Sequence, residues 1–360
     1  MIALTYYRPR ISEGGPVNDL VIALDVGGTN TRARIATVTE AGELRLAAPD
    51  VTTNISSADD VAAFASEAVH TAGRIGTVAA AVVAVAGPVL DQRSRVTNWP
   101  SDSAITIADL EAAGLPRGRT RLINDAAAGA WGALARVDRA GDAVDALTLV
   151  ARRTGASGLA AGNLLYVAPG TGLSSAFIVR HGEGPTGASI VACEFENTQI
   201  PQLEGGIGLV TDVIAQALGR APDWEDLVSG RGLVRIYDAL GSIAGAGTRV
   251  VPGDVAHRAG AIAESARMGD DQRAVEASEL FYRALGHFAQ TLALACLPCA
   301  AVVIGGASTE RNIEVVRASG LAEVFASHHR FSSLLAEIPL FAVGGDVCLE
   351  GAVLLALQAR

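Results

Sequence analysis

The chain has 360 residues, half of them apolar, and a formal net charge of −10. All 28 of its cationic residues are arginine and none is lysine. This excludes a Walker-A lysine, a protein-kinase strand lysine and Schiff-base chemistry, and the acidic balance argues against a nucleic-acid or anionic-membrane surface.

A nucleotide handled by such a chain is held by backbone amides, hydroxyls, arginine and metal. Residues 1–19 are short and polar, with Pro9, Gly14, Gly15 and Pro16, and lack the apolar core of a signal peptide. The most apolar stretch, 292–307, is broken by Pro298 and by Gly305-Gly306, too soon to span a bilayer. A soluble, cytoplasmic protein is expected. Cys193, Cys296, Cys299 and Cys348 are too few for a disulfide scaffold, and Cys296 and Cys299, although at redox spacing, precede a buried strand and read as packed thiols.

Along the chain, apolar β-formers at 20–24 run into Asp25, Gly27, Gly28, Thr29 and Asn30, and residues 31–36 alternate as a returning strand would. A tight hairpin follows, its glycines free to adopt positive φ and to turn amides toward an anion. Asp25 stands at its rim, where a carboxylate can orient a hydrated divalent cation; an ordinary Gly-Gly hairpin is the plain alternative. A third strand is expected over 43–50, a helix capped by Ser57 over 57–73, a fully buried strand over 77–86 and a short strand over 94–97. A brief helix over 107–113, a buried strand over 119–123 and an Ala-rich helix over 126–134 come next. A polar insertion at 141–162 surrounds a short apolar run, and the opening pattern then returns: strand 163–168, turn Gly170-Thr171-Gly172, strand 173–179. Two hairpins of one design imply a duplicated architecture. The second half is helical (206–218, 224–229, 232–240, 253–266, 271–297), and a strand at 300–304 runs into Gly305-Gly306. A strand at 340–343 and a helix at 349–358 close the chain. The predicted fold is α/β and two-lobed. Residues 1–124 with 344–360 form a small domain, residues 125–343 a large one, and the ligand is expected in the cleft between the lobes.

The chemistry is expected at strand ends. Asn124 and Asp125 stand at the carboxyl end of a buried strand where a helix begins. Asp125 is either an N-cap or a general base that takes a proton from an attacking hydroxyl; phosphoryl transfer asks little more of a protein than that base, positioning and charge neutralisation. Asn98 suits a sugar hydroxyl, or a turn before Pro100. Gly170, Thr171 and Gly172 offer a second phosphate cradle, and Gly305-Gly306 lets a bulky ring lie against the main chain.

In this order the motifs resemble the bacterial glucokinase family, within the superfamily that joins sugar kinases, actin and the heat-shock chaperone ATPases. The resemblance covers roughly residues 21–357 and includes A-V-A-G-P-V at 84–89, T-N-W at 97–99, L-I-N-D at 122–125, P-G-T-G-L at 169–173 and S-G-x-G-L at 229–233. It implies an actin-like ATPase (ribonuclease H-like) fold with a duplicated core, usually a homodimer, moving the γ-phosphate of Mg-ATP to the primary hydroxyl of glucose. Asp125 matches the family's base, Asn124 a sugar contact and Glu225 a glutamate that binds sugar hydroxyls. Asp25, Gly28 and Thr29 match the first phosphate motif, Gly170 to Gly172 the second, and Gly305 with Gly306 the adenosine motif. One stretch departs: the family's E-G-G-H is replaced by Glu194-Phe195-Glu196-Asn197, with Glu194 on the sugar-binding glutamate and Asn197 on the histidine. Bulky residues in place of those glycines are expected to reshape the pocket floor. Another hexose, an amino sugar or a seven-carbon cyclitol is therefore an alternative acceptor. A non-catalytic, sugar-sensing member of the fold is an alternative of another class, against which stand the presence of Asp25 and Asp125 and the lack of a DNA-binding helix pair before the first strand.

Overall fold

The computed structural model describes residues 19–28, 30–38, 44–96, 99, 102–140, 148–151, 161–182, 187–245 and 253–359. β1 (Asp19–Val26) and β2 (Thr31–Val38) are followed by β3 (Leu44–Leu46), β4 (Val51–Thr53), α1 (Ala58–Gly73) and β5 (Thr77–Val85). Three very short strands, β6 (Val89–Leu90), β7 (Arg93–Ser94) and β8 (Ile105–Thr106), precede α2 (Ile107–Ala112), β9 (Thr120–Asn124) and α3 (Asp125–Ala140). Then come β10 (Thr148–Ala151), β11 (Asn163–Pro169), β12 (Leu173–Arg180) and β13 (Ala188–Cys193). Helices α4 (Gly205–Leu218), α5 (Trp224–Leu227), α6 (Gly230–Ile243), α7 (Val255–Met268) and α8 (Gln272–Ala295) lead to β14 (Cys299–Ile304). Four short helices, α9 (Ala307–Arg311), α10 (Ile313–Ala318), α11 (Leu321–Ala326) and α12 (Ser332–Glu337), precede β15 (Leu340–Ala342) and α13 (Val347–Gln358). The short edge strands and α9 to α12 carry too few residues for a periodic signal, so the sequence pattern passes over them.

The chain divides into two compact units. Met1–Ala143, Arg180–Ala192 and Asp346–Arg360 form the first. Its sheet runs β3-β2-β1-β5-β9, antiparallel between β1 and β2 and parallel from β1 through β5 to β9. β1 is apolar from Leu20 to Leu24 because both its faces are covered. Leu20, Ile22 and Leu24 pack with Val61, Phe64 and Ala65 of α1, while Val21 and Ala23 pack with Ala352 and Val353 of α13 and Ala128 of α3. The alternation turns Asp25 toward the α13 side. Helices α3 and α13 cross through glycines: a Cβ on Gly132 would lie 2.1 Å from the Val347 carbonyl oxygen, and one on Gly351 1.8 Å from that of Ala128. α3, packed along α13, lies with the first unit.

Val144–Val179 and Cys193–Gly345 form the second unit. Its sheet runs β10-β15-β14-β11-β12. β11 pairs antiparallel with β12 and parallel with β14, which pairs parallel with β15. This repeats the pattern of β2-β1-β5-β9, so the core is duplicated, as the two hairpins imply. Phe288 and Leu292 of α8 pack on Leu165 and Val302 of the sheet, together with Trp224 and Tyr237.

Candidate functional site

In the first unit the β1–β2 register pairs Val26 with Thr31 and Asp25 with Arg32. The Gly27 amide closes the turn on the Asn30 carbonyl oxygen at 3.0 Å. Gly27 does not use a positive φ. It is required because a Cβ there would sit 2.9 Å from that oxygen. Among the described residues the Gly28 amide has no acceptor, leaving it open to an anion. Asn30 is exposed; Thr29 and Asn98 lie outside the described residues.

Asp25 is buried and engaged on both oxygens. The Arg32 guanidinium donates to Oδ2, at 3.2 Å from Nε and more closely from Nη2, and the Cys348 thiol donates to Oδ1 at 3.2 Å. Arg32 also pairs with Asp346, and Asp346 with Arg34, which is held by Asp50. Burial works against the Arg32 charge, but Asp25 and Asp346 outweigh it and raise the guanidinium pKa. Burial pushes the Cys348 thiol well above its ordinary range, reinforced by the Asp25 and Asp125 carboxylates, so Cys348 stays an S–H donor.

Asn124 ends β9 and, across Val85 of β5, stands level with Val26 of β1, two strand spacings or about 10 Å away. Its side chain is the helix cap. Oδ1 accepts from the amides of Ala126 at 2.8 Å and Ala127 at 3.3 Å, and Nδ2 donates to the Gly87 carbonyl oxygen at 3.0 Å. Capping is therefore done mainly by Asn124. Asp125 occupies the first turn of α3, half-buried, with Oδ1 accepting from the Ala126 amide at 2.8 Å. The same Cys348 sulfur lies 3.7 Å from the Asp125 carbonyl oxygen. One thiol on α13 thus spans the end of β1 and the start of α3, bringing Asp25 and Asp125 together.

In the second unit the Gly170 amide bonds the Gly172 carbonyl oxygen at 2.7 Å, and the Gly170 carbonyl oxygen accepts from Gly230 at the start of α6 at 2.8 Å. Among the described residues the amides of Thr171 and Gly172 have no protein acceptor. Glu225 lies against this turn: Oε2 accepts from the Leu173 amide at 3.3 Å, and Oε1 is paired with Arg231. Gly306, with φ of +101°, would bring a Cβ within 2.7 Å of the Pro169 carbonyl oxygen. Gly306 and the start of the Gly170–Gly172 turn are therefore neighbours. At Gly305 the space beside Cα is taken by Tyr166, whose hydroxyl would stand 2.5 Å from a Cβ.

The Glu194–Asn197 stretch forms a single 3-10 turn, with the Asn197 amide donating to the Glu194 carbonyl oxygen at 3.1 Å and Asn197 Nδ2 to Glu194 Oε2 at 3.1 Å. Both side chains are exposed. The residues expected to fill the pocket floor are turned inward. Phe195 packs on Phe288, ring centroids 6.2 Å apart, and Glu196 is 4% exposed, accepting from Ser175 Oγ at 2.8 Å. The turn can dispense with glycine because its backbone needs no positive φ and its side chains find room in the interior. The Thr198 carbonyl oxygen accepts from the Trp224 amide at 3.3 Å, which seats the turn beside α5 and its Glu225.

A family model described as Glucokinase matches residues 22–359.

The chain belongs to the glucokinase family.

A protein of Stenotrophomonas maltophilia (strain K279a) named glucokinase is 27% identical over 328 residues, 90% of each chain. Among solved structures, glucokinase from Balamuthia mandrillaris in complex with glucose matches with a TM-score of 0.76 at 22% identity, covering 98% of this chain and 97% of its own. A ROK family glucokinase from Streptomyces griseus in complex with glucose and AMPPNP matches with a TM-score of 0.61 at 23% identity, covering 93% and 98%. A ROK family transcriptional regulator also matches, with a TM-score of 0.64 at 17% identity, covering 95% and 79%. These likenesses show the fold of this glucokinase-family chain to be that of the actin-like, hexokinase-type kinases.

Sequence reasoning missed Arg32, Arg231 and Cys348. Arg32 was legible, since a turn over 27–30 sets it opposite Asp25. Arg231 lies inside the S-G-x-G-L stretch. Cys348 has no local signal, because its partner Asp25 is 323 positions away. Among the described residues no helix is long and apolar enough to cross a membrane, and no cluster of three or more His, Cys, Asp or Glu could hold a metal.

Proposed function

We propose that this chain is an ATP-dependent sugar kinase that phosphorylates the primary hydroxyl of glucose or a closely similar polyol, with Asp125 as general base. The observation that carries the reading is the placement of Asp125 at the carboxyl end of β9, linked through Cys348 to Asp25 beside the bare Gly27–Gly28 turn. The glucose and AMPPNP named for the structural neighbours support the choice of acceptor and donor.

The chemistry follows from the residues. Asn124 takes the capping role, and the N-terminus of α3 favours the charge of the Asp125 carboxylate, the proposed acceptor of the hydroxyl proton. As the hydroxyl oxygen attacks the γ-phosphorus, its proton passes to Asp125 and the bond to the ADP oxygen breaks. Gly28, Thr171 and Gly172 are the proposed amide donors for phosphate oxygens, a role that needs no lysine. Gly305 and Gly306 are the proposed adenosine contacts. Glu194, Asn197, Glu225, Asn124 and Asn98 are the proposed acceptor contacts.

Mg2+ fits this set only in the outer sphere. The Asp25 oxygens already carry Arg32 and Cys348, and the described residues form no metal cage. Asp25 would hold the ion through its water, and the ion when bound would neutralise charge on the transferring phosphoryl group. A homodimer is the proposed assembly, for which light scattering should return twice the chain mass.

ADP release coupled to oxidation of a reporter, measured across glucose, mannose, glucosamine, N-acetylglucosamine and a seven-carbon cyclitol, tests the reading. Turnover with glucose is expected. Best turnover with another sugar or a cyclitol would move the acceptor assignment, and none with any acceptor would favour the non-catalytic, sugar-sensing alternative.

A further inference from the structure

Ser175 lies three positions beyond Gly172 on β12 and is fully buried. Its hydroxyl donates to Glu196 Oε2 at 2.8 Å and stands 3.2 Å from the Cys193 sulfur, which in turn reaches the Ser175 carbonyl oxygen at 3.7 Å. Burying a carboxylate is costly unless hydrogen bonds hold it, so this carboxylate has one preferred seat. The next residue back, Phe195, is held against Phe288, itself 5.6 Å from the Trp224 ring. Two consecutive side chains therefore anchor a short turn in the interior, and the residues on either side of them, Glu194 and Asn197, are the exposed pair joined at 3.1 Å. A lone 3-10 turn on a surface has little stability of its own. Its rigidity comes from below.

We propose that Glu196 and Phe195 are positioning residues that fix the Glu194–Asn197 pair for the acceptor, and that Ser175 ties this turn to the strand leaving the second phosphate turn. The inference rests on the sugar-kinase reading and deepens it: acceptor affinity is set by two side chains that do not touch the acceptor. The pair is preorganised, so little ordering cost is left for binding. Acceptors with an equatorial-rich, glucose-like ring of hydroxyls suit a fixed carboxylate and amide; a mobile turn would serve them less well.

Steady-state kinetics on Ser175→Ala, Glu196→Ala and Glu196→Gln test this, with the acceptor that the wild-type chain phosphorylates fastest. Ser175→Ala removes one hydroxyl and guards against a fold defect in the Glu196 variants; circular dichroism checks each. Ser175→Ala and Glu196→Ala are expected to raise acceptor KM about tenfold while leaving kcat and the KM for ATP within about twofold. Glu196→Gln, which can still accept from Ser175, is expected to recover most of the loss. Unchanged acceptor KM in folded Ser175→Ala and Glu196→Ala, or an equal decline in kcat and both KM values, would overturn the proposal. If the wild-type chain releases no ADP with any acceptor, the kinase reading fails separately. Glucose binding followed by tryptophan fluorescence then reads the same tenfold shift, and absence of wild-type glucose binding would overturn the proposal too.

Discussion

Glu194, a proposed acceptor contact, costs the fold something. Although its side chain reaches solvent, desolvation by the surrounding protein atoms, and then the neighbouring Glu225 carboxylate, push its carboxyl above the ordinary value of 4.5. A raised carboxyl pKa means that the ionised form is disfavoured in the folded state. Its contribution to stability is complete below 4.5 and is lost as pH rises through the folded value. Glu194→Gln should therefore melt above wild type at neutral pH and level with it below 4.5, while binding acceptor less well. Thermal unfolding at the two pH values checks this, and equal melting at neutral pH would contradict it. Gly172 poses a different constraint, since a Cβ there would stand 2.8 Å from Glu225 Oε2. Gly172→Ala is expected to displace Glu225 from the Leu173 amide and to raise the KM for ATP about tenfold, read from initial rates against ATP concentration.

At the scale of elements, helix crossings decide where Asp125 sits. α3 can approach α13 only through Gly132 and Gly351, whose missing Cβ atoms make room for the Val347 and Ala128 carbonyl groups. Gly351→Ala forces the helices apart, at a cost of about 3 kcal/mol, and should lower the melting temperature by roughly 5–10 °C. The same shift carries Cys348 away from Asp25 and the Asp125 carbonyl group, so kcat should fall in the surviving folded fraction. The hairpins, the buried strands and the ordered set of glycine turns were legible in the sequence, because each is a local pattern of apolar runs ending in polar or glycine residues. What escaped it was relational. Phe195 and Glu196 look like obstructions when read in line, yet the interior has a seat for both; Glu225 looks like a free carboxylate, yet Arg231 and the Leu173 amide hold it. Cys348 joins β1 to α3 across a separation that no local window contains.

For the molecule as a whole, under the proposed kinase reading, a chain without lysine meets phosphate with main-chain amides and leaves proton transfer to one aspartate. The arginines nearest these positions are already committed, Arg32 and Arg34 to Asp25, Asp50 and Asp346, and Arg231 to Glu225. Their part is to hold carboxylates in place. Ligand binding and catalysis should therefore come apart cleanly when the base is removed. The measurement that tests this most directly pairs turnover with ligand-induced thermal stabilisation for wild type and Asp125→Asn. The variant should keep the melting-temperature increase produced by glucose and ATP, while kcat falls by about three to four decades. Near-normal turnover in Asp125→Asn, or loss of the ligand-induced shift together with turnover, would contradict the assignment of Asp125 as the base.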